Sequence, residues 1–292
     1  MTAIQQWIKP RSRDLGGFSV VRVLPDPQRQ SVGPFIFFDH MGPTNFPAGQ
    51  GVDVRPHPHI GLATVTYLFD GALLHRDSLG HVQEIHPGDV NWMTAGRGIV
   101  HSERSPPAVR AGTHRLHGLQ TWVALPHSHE TTEPGFEHYP KTVIPGAERG
   151  GVNIHVIAGE AFGLRSPVRT LSDTLYVIAE LPANGVIDVP ADHDERAVYP
   201  VDAAVVVGDE TIGPQELAVI TPGEPVQVRA RQATRVALIG GAPLDGPRLI
   251  WWNLVASDEA TMAAARRAWR NENSSVFPPV PGETERIPLP DY

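Results

Sequence analysis

The chain has no cysteine among its 292 residues. That absence excludes disulfides, thiolate metal centres and cysteine nucleophiles, and leaves any metal to histidine and carboxylate side chains. No apolar run approaches the ~18 residues that a bilayer demands. The opening MTAIQQWIKPRSRDLGG lacks the apolar core of a secretory leader. Together these two absences predict a cytoplasmic protein with no membrane association. A basic excess is also missing: the formal charge is −8, which argues against direct nucleic-acid binding, since a phosphate-binding surface needs surplus Lys and Arg. The short basic stretches at Arg11 to Arg13 and Arg266-Arg267 are read as solvated faces. No Gly-x-Ser-x-Gly elbow, P-loop or dinucleotide fingerprint occurs, and Ala95-Gly96-Arg97-Gly98 leads a strand, not a helix.

What is present is punctuation. The 28 Gly and 29 Pro are spread evenly among short runs rich in β-branched and aromatic residues, the pattern of an all-β sandwich or barrel. FSVVRVL (18–24), PFIFF (34–38), LATVTYLF (62–69), HVQEI (81–85) and GLQTWVAL (118–125) are such runs. HRDSLGH (75–81) and HPGDV (86–90) are read as tight turns. The stretch PHSHETTEPGFEHYP (126–140) is polar and proline-bearing and is read as a linker. Strand-like runs then resume: NIHVIAG (153–159), LYVIAEL (175–181), AVVVG (204–208), ELAVI (216–220), VQVRA (226–230) and RVALIGG (235–241). Two similar β-modules follow, 1–133 and 134–292. One helix is predicted near the end, capped by Ser257, with Asp258 and Glu259 in its first turn and Arg266, Arg267 and Arg270 toward its last. Met262, Ala265 and Trp269 give it one apolar face to dock on a sheet.

The chemistry concentrates in two pairs. RPHPHIGLATVTY (55–67) carries His57-x-His59, and MTAGRGIVHSE (93–103) carries His101-x-Glu103. With 14 His in the chain, one H-x-H is close to what chance supplies, and His127-x-His129 is a second. Spacing alone therefore decides little. In a strand, however, residues two apart share a face, so two strands each offering such a pair can converge four side chains on one point. His127 and His129 follow a proline in the linker without a matching pair and are set aside. Three imidazoles and a carboxylate suit iron, nickel, copper, manganese or zinc, one ion per chain, rather than calcium or magnesium. An open position beside a redox metal would suit oxygenase chemistry; with zinc it would activate water. Trp92, Met93 and Phe37 are read as core or as walls of a flat apolar pocket. Asp39-His40 either supports the site or forms a turn, and Asp77-Ser78 belongs to a hairpin turn. HDER (193–196) places one His beside two acids, but the later strands 216–220 and 226–230 hold no histidine, so the second module is read as metal-free.

These residues carry a resemblance. HPHIGLATVTYLFDGALLHRDSLG (57–80) followed by PGDVNWMTAGRGIVHSE (87–103) resembles the signature of the pirin family. GPFIFFDHMGP (33–43), HGLQTWVALP (117–126), WWNLVAS (251–257) and FPPVPGETERIPLP (277–290) resemble pirins too, so the likeness spans nearly the whole chain. It implies a bicupin: two antiparallel β-barrels of jelly-roll type, face to face, with a short C-terminal helix. It also implies His57, His59, His101 and Glu103 as the four ligands of an iron-type centre in the first barrel. The usual first cupin motif fits Gly51, His57, His59 and Gly71, but its glutamate position holds Thr64; the lost carboxylate is regained at Glu103. The activity implied is that of a quercetinase, a dioxygenase that opens a flavonol-like aromatic substrate with O2 and releases carbon monoxide, with Glu103 as base. The alternative is a metal- and redox-sensitive regulatory protein acting on a transcription factor or metabolic enzyme; a third is a non-oxidative metal enzyme such as an isomerase. A monomer is expected.

Overall fold

Successive side chains leave a pleated backbone on opposite faces. The inner strands Leu62–Asp70 and Thr174–Leu181 are buried on both faces for most of their length, whereas other strands alternate. Val226–Ala230 alternates buried and exposed residues along its whole length, one face on a core and the other in water. In the computed structural model, which describes residues 2–14, 18–272 and 274–291, the chain divides into two compact units.

One unit comprises Met1–Arg13, Val21–Asp39 and Tyr139–Leu244. Val186–Val189, Val226–Ala230, Val205–Val207 and Glu210–Ile212 form a four-stranded sheet in that order. A larger sheet runs through Leu217–Ile220, Glu195–Pro200, Thr234–Gly241, Thr174–Leu181 and Val152–Ala161. Aliphatic side chains from both sheets, among them Val177, Val198, Val228 and Leu238, make one apolar cluster.

The other unit comprises Asp14–Val20, His40–His138 and Asp245–Tyr292. Its four-stranded sheet has the order Asp53–His59, Ile99–Arg104, Leu73–Asp77, Val82–Ile85, and a larger sheet carries Gly135–Tyr139, Val90–Thr94, Leu62–Asp70 and His114–Ala124 as successive strands. Leu68, Leu73, Ile85 and Leu116 join the two sheets in an apolar cluster. Register then stacks the layers. Gly118 faces Leu68, Gln120 faces Thr66 and Trp122 faces Thr64, so an apolar layer gives way to a polar one along the same strands.

Three expectations are corrected here. The stretch 126–140 is more than a linker, because Gly135–Tyr139 is a strand beside Val90–Thr94. The helix and tail, expected with the second module, cluster with residues 40–138 instead. The reason is apolar: Met262, Ala265, Trp269, Phe277 and Val280 pack with Ile60 and Val100, and Ile287 N donates to the Pro56 carbonyl at 2.8 Å. Finally, Asp258 rather than Ser257 caps the helix Glu259–Arg270, accepting from Thr261 N. Ser257 is already engaged, its backbone N and Oγ both donating to the Glu130 carboxylate at 2.6 Å. No helix among the described residues is long and apolar enough to cross a membrane.

The AGRG stretch has a packing explanation. Gly96 has φ +50, and a Cβ there would lie 2.0 Å from the Thr132 carbonyl oxygen, so only glycine lets the turn approach its neighbour so closely.

Trp269 is the largest fully buried side chain among the described residues, 1% exposed. Trp269→Ala is expected to destabilise the unit that carries residues 40–138 by about 3–5 kcal/mol, seen as an earlier transition in chemical denaturation. An unchanged transition would mean that the helix is not part of that core.

Candidate metal centre

Three histidines come to one point. His57 and His59 share a face of Asp53–His59, and His101 on the neighbouring strand lies directly opposite His57. One nitrogen from each lies within 4.8 Å of the other two. Ring centroids are 4.4 Å apart for His57 and His101, 4.9 Å for His57 and His59, and 5.0 Å for His59 and His101. Asp53–His59 is the outermost strand of its sheet, the one place where Pro56 and Pro58, which lack a ladder donor, are tolerated.

Burial decides their charge. It pushes the His57 pKa down to about 4, and holds His59 and His101 well below the ordinary histidine value, with neighbouring imidazoles adding to the effect. All three rings are therefore neutral at pH 7, each with one N–H and one lone pair. His57 Nδ1 donates to the Arg55 carbonyl at 2.8 Å, and His59 Nδ1 to the Asn253 carbonyl at 2.9 Å. A carbonyl only accepts, so Nε2 is the lone pair in both. Asn253 lies in the turn between Leu249–Trp251 and Leu254–Ala256, where Trp252 has φ +52. His101 Nε2 is buried without a hydrogen-bond partner. A buried orphan of this kind costs free energy, and a cation facing three imidazole lone pairs removes that cost. The donor set fits a divalent transition metal.

Glu103 follows His101 by two residues but stands outside this group of three. Between His101 and Glu103 the register slips, His101 pairing with His57 and Glu103 with Val54, which is a bulge in the edge strand. The carboxylate Oε1 lies 3.3 Å from Thr66 Oγ1, itself 2.8 Å from Gln120 Oε1. One hydroxyl proton serves only one acceptor; with the Gln120 amide turned over, it donates to Thr66 and Thr66 donates to Glu103. Burial pushes the Glu103 pKa up to about 7, against the smaller opposing effect of the Thr66 hydrogen bond.

Register places other groups on this face. Thr64 pairs with both Met93 and Trp122, and the Trp122 ring stands edge-on to His59 at 5.1 Å. Trp92 pairs with Val65 and so lies on the opposite face from Met93; its indole N–H donates to Thr94 Oγ1 at 3.2 Å. Phe37 lies under the Arg22 guanidinium, 4.2 Å from ring centroid to Cζ. Asp39-His40 forms no turn, since the strand Phe35–Phe46 runs on through both. Asp39 takes a two-pronged contact from Arg22 at 2.7 and 2.8 Å, and His40 Nε2 lies 2.7 Å from His117 Nε2. His127 serves as a clip: its backbone N donates to Asp245 at 2.8 Å and its Nε2 accepts from Arg248 at 2.7 Å. His193 lies 2.8 Å from the Asp173 carboxylate.

Sequence reading passed over His75 and saw Asp77 only as a turn residue. Asp77 does hold the turn, accepting from Leu79 N and His81 N at 2.9 and 3.0 Å. It also lies 3.1 Å from His75 Nε2, while His75 Nδ1 is 3.3 Å from His101 Nδ1. Phe136, from the supposed linker, stacks on the His75 ring at 4.1 Å. Burial raises the Asp77 carboxyl, but the hydrogen bonds from His75 and the His81 backbone outweigh it and leave the pKa below the ordinary value. His75-x-Asp77 has the same two-residue spacing as His57-x-His59 and His101-x-Glu103, and that signal would have found it.

Two β-barrel units with a histidine cluster in one of them define a bicupin. The family model for Pirin matches residues 17–123, and that for the Pirin C-terminal cupin domain matches residues 176–275. A pirin-like protein of Caulobacter vibrioides is 44% identical, covering 96% of this chain and 97% of its own. Human pirin is 33% identical over 87% of each. The crystal structure of quercetin 2,3-dioxygenase from Acinetobacter baumannii superposes with a TM-score of 0.91 at 35% identity, covering 98% of this chain and 96% of that one. The chain belongs to the pirin family.

Elemental analysis is expected to find one metal per chain. His59→Ala should abolish stable binding, whereas His127→Ala should leave it intact; loss of metal in His127→Ala alone would relocate the site. A second expectation concerns pH in the metal-free protein. Glu103 has a pKa of about 7 when folded and 4.5 as a free side chain, so its contribution to stability falls as pH rises between those values. His57, lowered from 6.5 to about 4, acts in the opposite sense, stability rising over that interval. Glu103→Gln removes only the first effect. It should gain on the parent as pH rises, by on the order of 3 kcal/mol at most, and a pH-independent difference would contradict the assignment.

Proposed function

We propose that the chain is a metal-dependent dioxygenase of the quercetinase type, which opens a flavonol ring with O2 and releases carbon monoxide. The observation that carries this reading is a carboxyl with a pKa of about 7 on the same strand as one of three converging neutral imidazoles. A general base works best with a pKa near the operating pH, and few carboxylates reach it without such burial. Kinship with a solved quercetin 2,3-dioxygenase over nearly the whole chain supports the same substrate class.

His57, His59 and His101 would hold the metal, iron by family resemblance, with Glu103 as a fourth ligand. Such an ion supplies Lewis acidity toward a substrate hydroxyl and a redox partner for O2. The chain's own groups do the rest. Glu103 takes the proton of the flavonol 3-hydroxyl, leaving an electron-rich enolate. Thr66 and Gln120 orient the carboxyl through the hydrogen bonds described above. Trp122, edge-on to His59, offers apolar surface beside the histidines, suited to a flat aromatic ring.

Glutamine keeps the size of Glu103 but cannot take up a proton at neutral pH. Glu103→Gln is expected to keep part of its metal on three histidines, yet lose flavonol turnover by about two orders of magnitude or more. Raising the pH, so that the flavonol arrives already deprotonated, should restore some of that loss. Parent-level turnover in fully metal-loaded Glu103→Gln would remove Glu103 as the base. A parent protein that consumes no flavonol in air with iron, nickel, copper or manganese would sink the dioxygenase reading itself.

A further inference from the structure

His57 and His59 each place their one proton on a backbone carbonyl. His101 has no carbonyl for this purpose; its Nδ1 faces another imidazole. Between two neutral rings one nitrogen must donate and the other accept, and something else must decide which. That something is Asp77, fully buried on the strand next to His101 and directly opposite it in register.

We propose that Asp77 and His75 are positioning residues that fix the tautomer of His101, holding its proton on Nδ1 so that Nε2 stays a lone pair for the metal. The inference rests on reading the three histidines as a metal site. Each link follows from the one before. Asp77 Oδ1 is taken by the backbone N–H groups of Leu79 and His81, and Oδ2 faces two rings, His75 Nε2 at 3.1 Å and His81 Nδ1 at 2.9 Å, with a lone pair for each. A carboxylate accepts only, so the single proton of His75 sits on Nε2 and its Nδ1 is a lone pair. His101 Nδ1, 3.3 Å away, must then donate, and its orphaned Nε2 is left bare. Phe136, stacked on His75 with planes 10° apart, holds the middle ring in line. Partners of this kind behind a ligating histidine orient the ring and tune its basicity. Here the partner is a second histidine, and the carboxylate acts through it.

The chemistry allows a sharp test. In Asp77→Asn the two backbone N–H groups still demand an acceptor, so the amide oxygen stays with them and the NH2 group turns toward His75 and His81, one N–H for each ring. His75 must then accept at Nε2 and carry its proton on Nδ1, and His101 must carry its own on Nε2, where it blocks the metal. Imidazole nitrogen chemical shifts in 15N-labelled, metal-free protein report these tautomers directly. The parent is expected to show His101 protonated on Nδ1 and His75 on Nε2, with both inverted in Asp77→Asn. Nickel(II) affinity, read by chelator competition, should fall about 10–100-fold in Asp77→Asn. His75→Ala should show a similar loss, while His75→Asn, whose amide oxygen stands where Nδ1 stood, should recover to within about threefold of the parent. A folded Asp77→Asn that keeps the parent tautomers overturns the proposal. If Asp77→Asn does not fold, the His75 pair decides: equal nickel affinity in His75→Ala and His75→Asn overturns it. A parent that shows the expected tautomers yet binds no nickel would overturn the metal reading and leave the relay standing.

Discussion

Three neutral imidazoles packed against one another must each send a proton away from the centre they share. That constraint organises the unit around it. Burial strips the rings of charge, and neutrality leaves each with one donor to place. The edge strand supplies the Arg55 carbonyl for His57 from within itself, two residues back. Asn253 supplies the carbonyl for His59 from the far end of the sequence, so the chain after Asp245 has to return to this unit. The helix Glu259–Arg270 and the tail secure that return through an apolar contact with Ile60 and Val100, residues adjacent to His59 and His101.

Much of this was legible in one dimension. Two-residue spacing in strand contexts singled out His57, His59 and His101, because the face a strand residue occupies is fixed by parity alone. The same parity turned Glu103 inward, although the side chain reaches Thr66 rather than joining the three histidines. What escaped were facts of contact between distant segments. HRDSLGH runs from the end of the strand Leu73–Asp77 into a turn, and turn chemistry explains Asp77 so well that the two-residue spacing of His75-x-Asp77 went unused. The stretch 126–140 looked like a linker because a five-residue strand, Gly135–Tyr139, is too short and polar to show a period. Ser257 and Asp258 are equally good caps by composition; the Glu130 carboxylate settles the matter by occupying Ser257.

The two units also show how little backbone separates a site from a core. In one, Val198 faces Leu238, which faces Val177 across three strands, and the interior is aliphatic. In the other, the comparable kind of layer holds Thr64, Thr66, Gln120 and Trp122. Thr64 stands at the glutamate position of the usual cupin motif, and the carboxyl that follows His101, Glu103, is on a different strand. A fold of this type fixes which positions point inward and leaves their chemistry open.

Pro56 and Pro58 have a consequence beyond their place at a sheet margin. An edge strand usually exposes alternating donors and acceptors, an invitation to any other unpaired strand. Here every second residue beside the histidines has no N–H to offer. A foreign strand would meet acceptors without matching donors, and one of those acceptors, the Pro56 carbonyl, is already taken by Ile287 of the chain's own tail. Two prolines thus let the strand that carries His57 and His59 lie at the margin of its sheet while closing that margin to zippering with a second molecule.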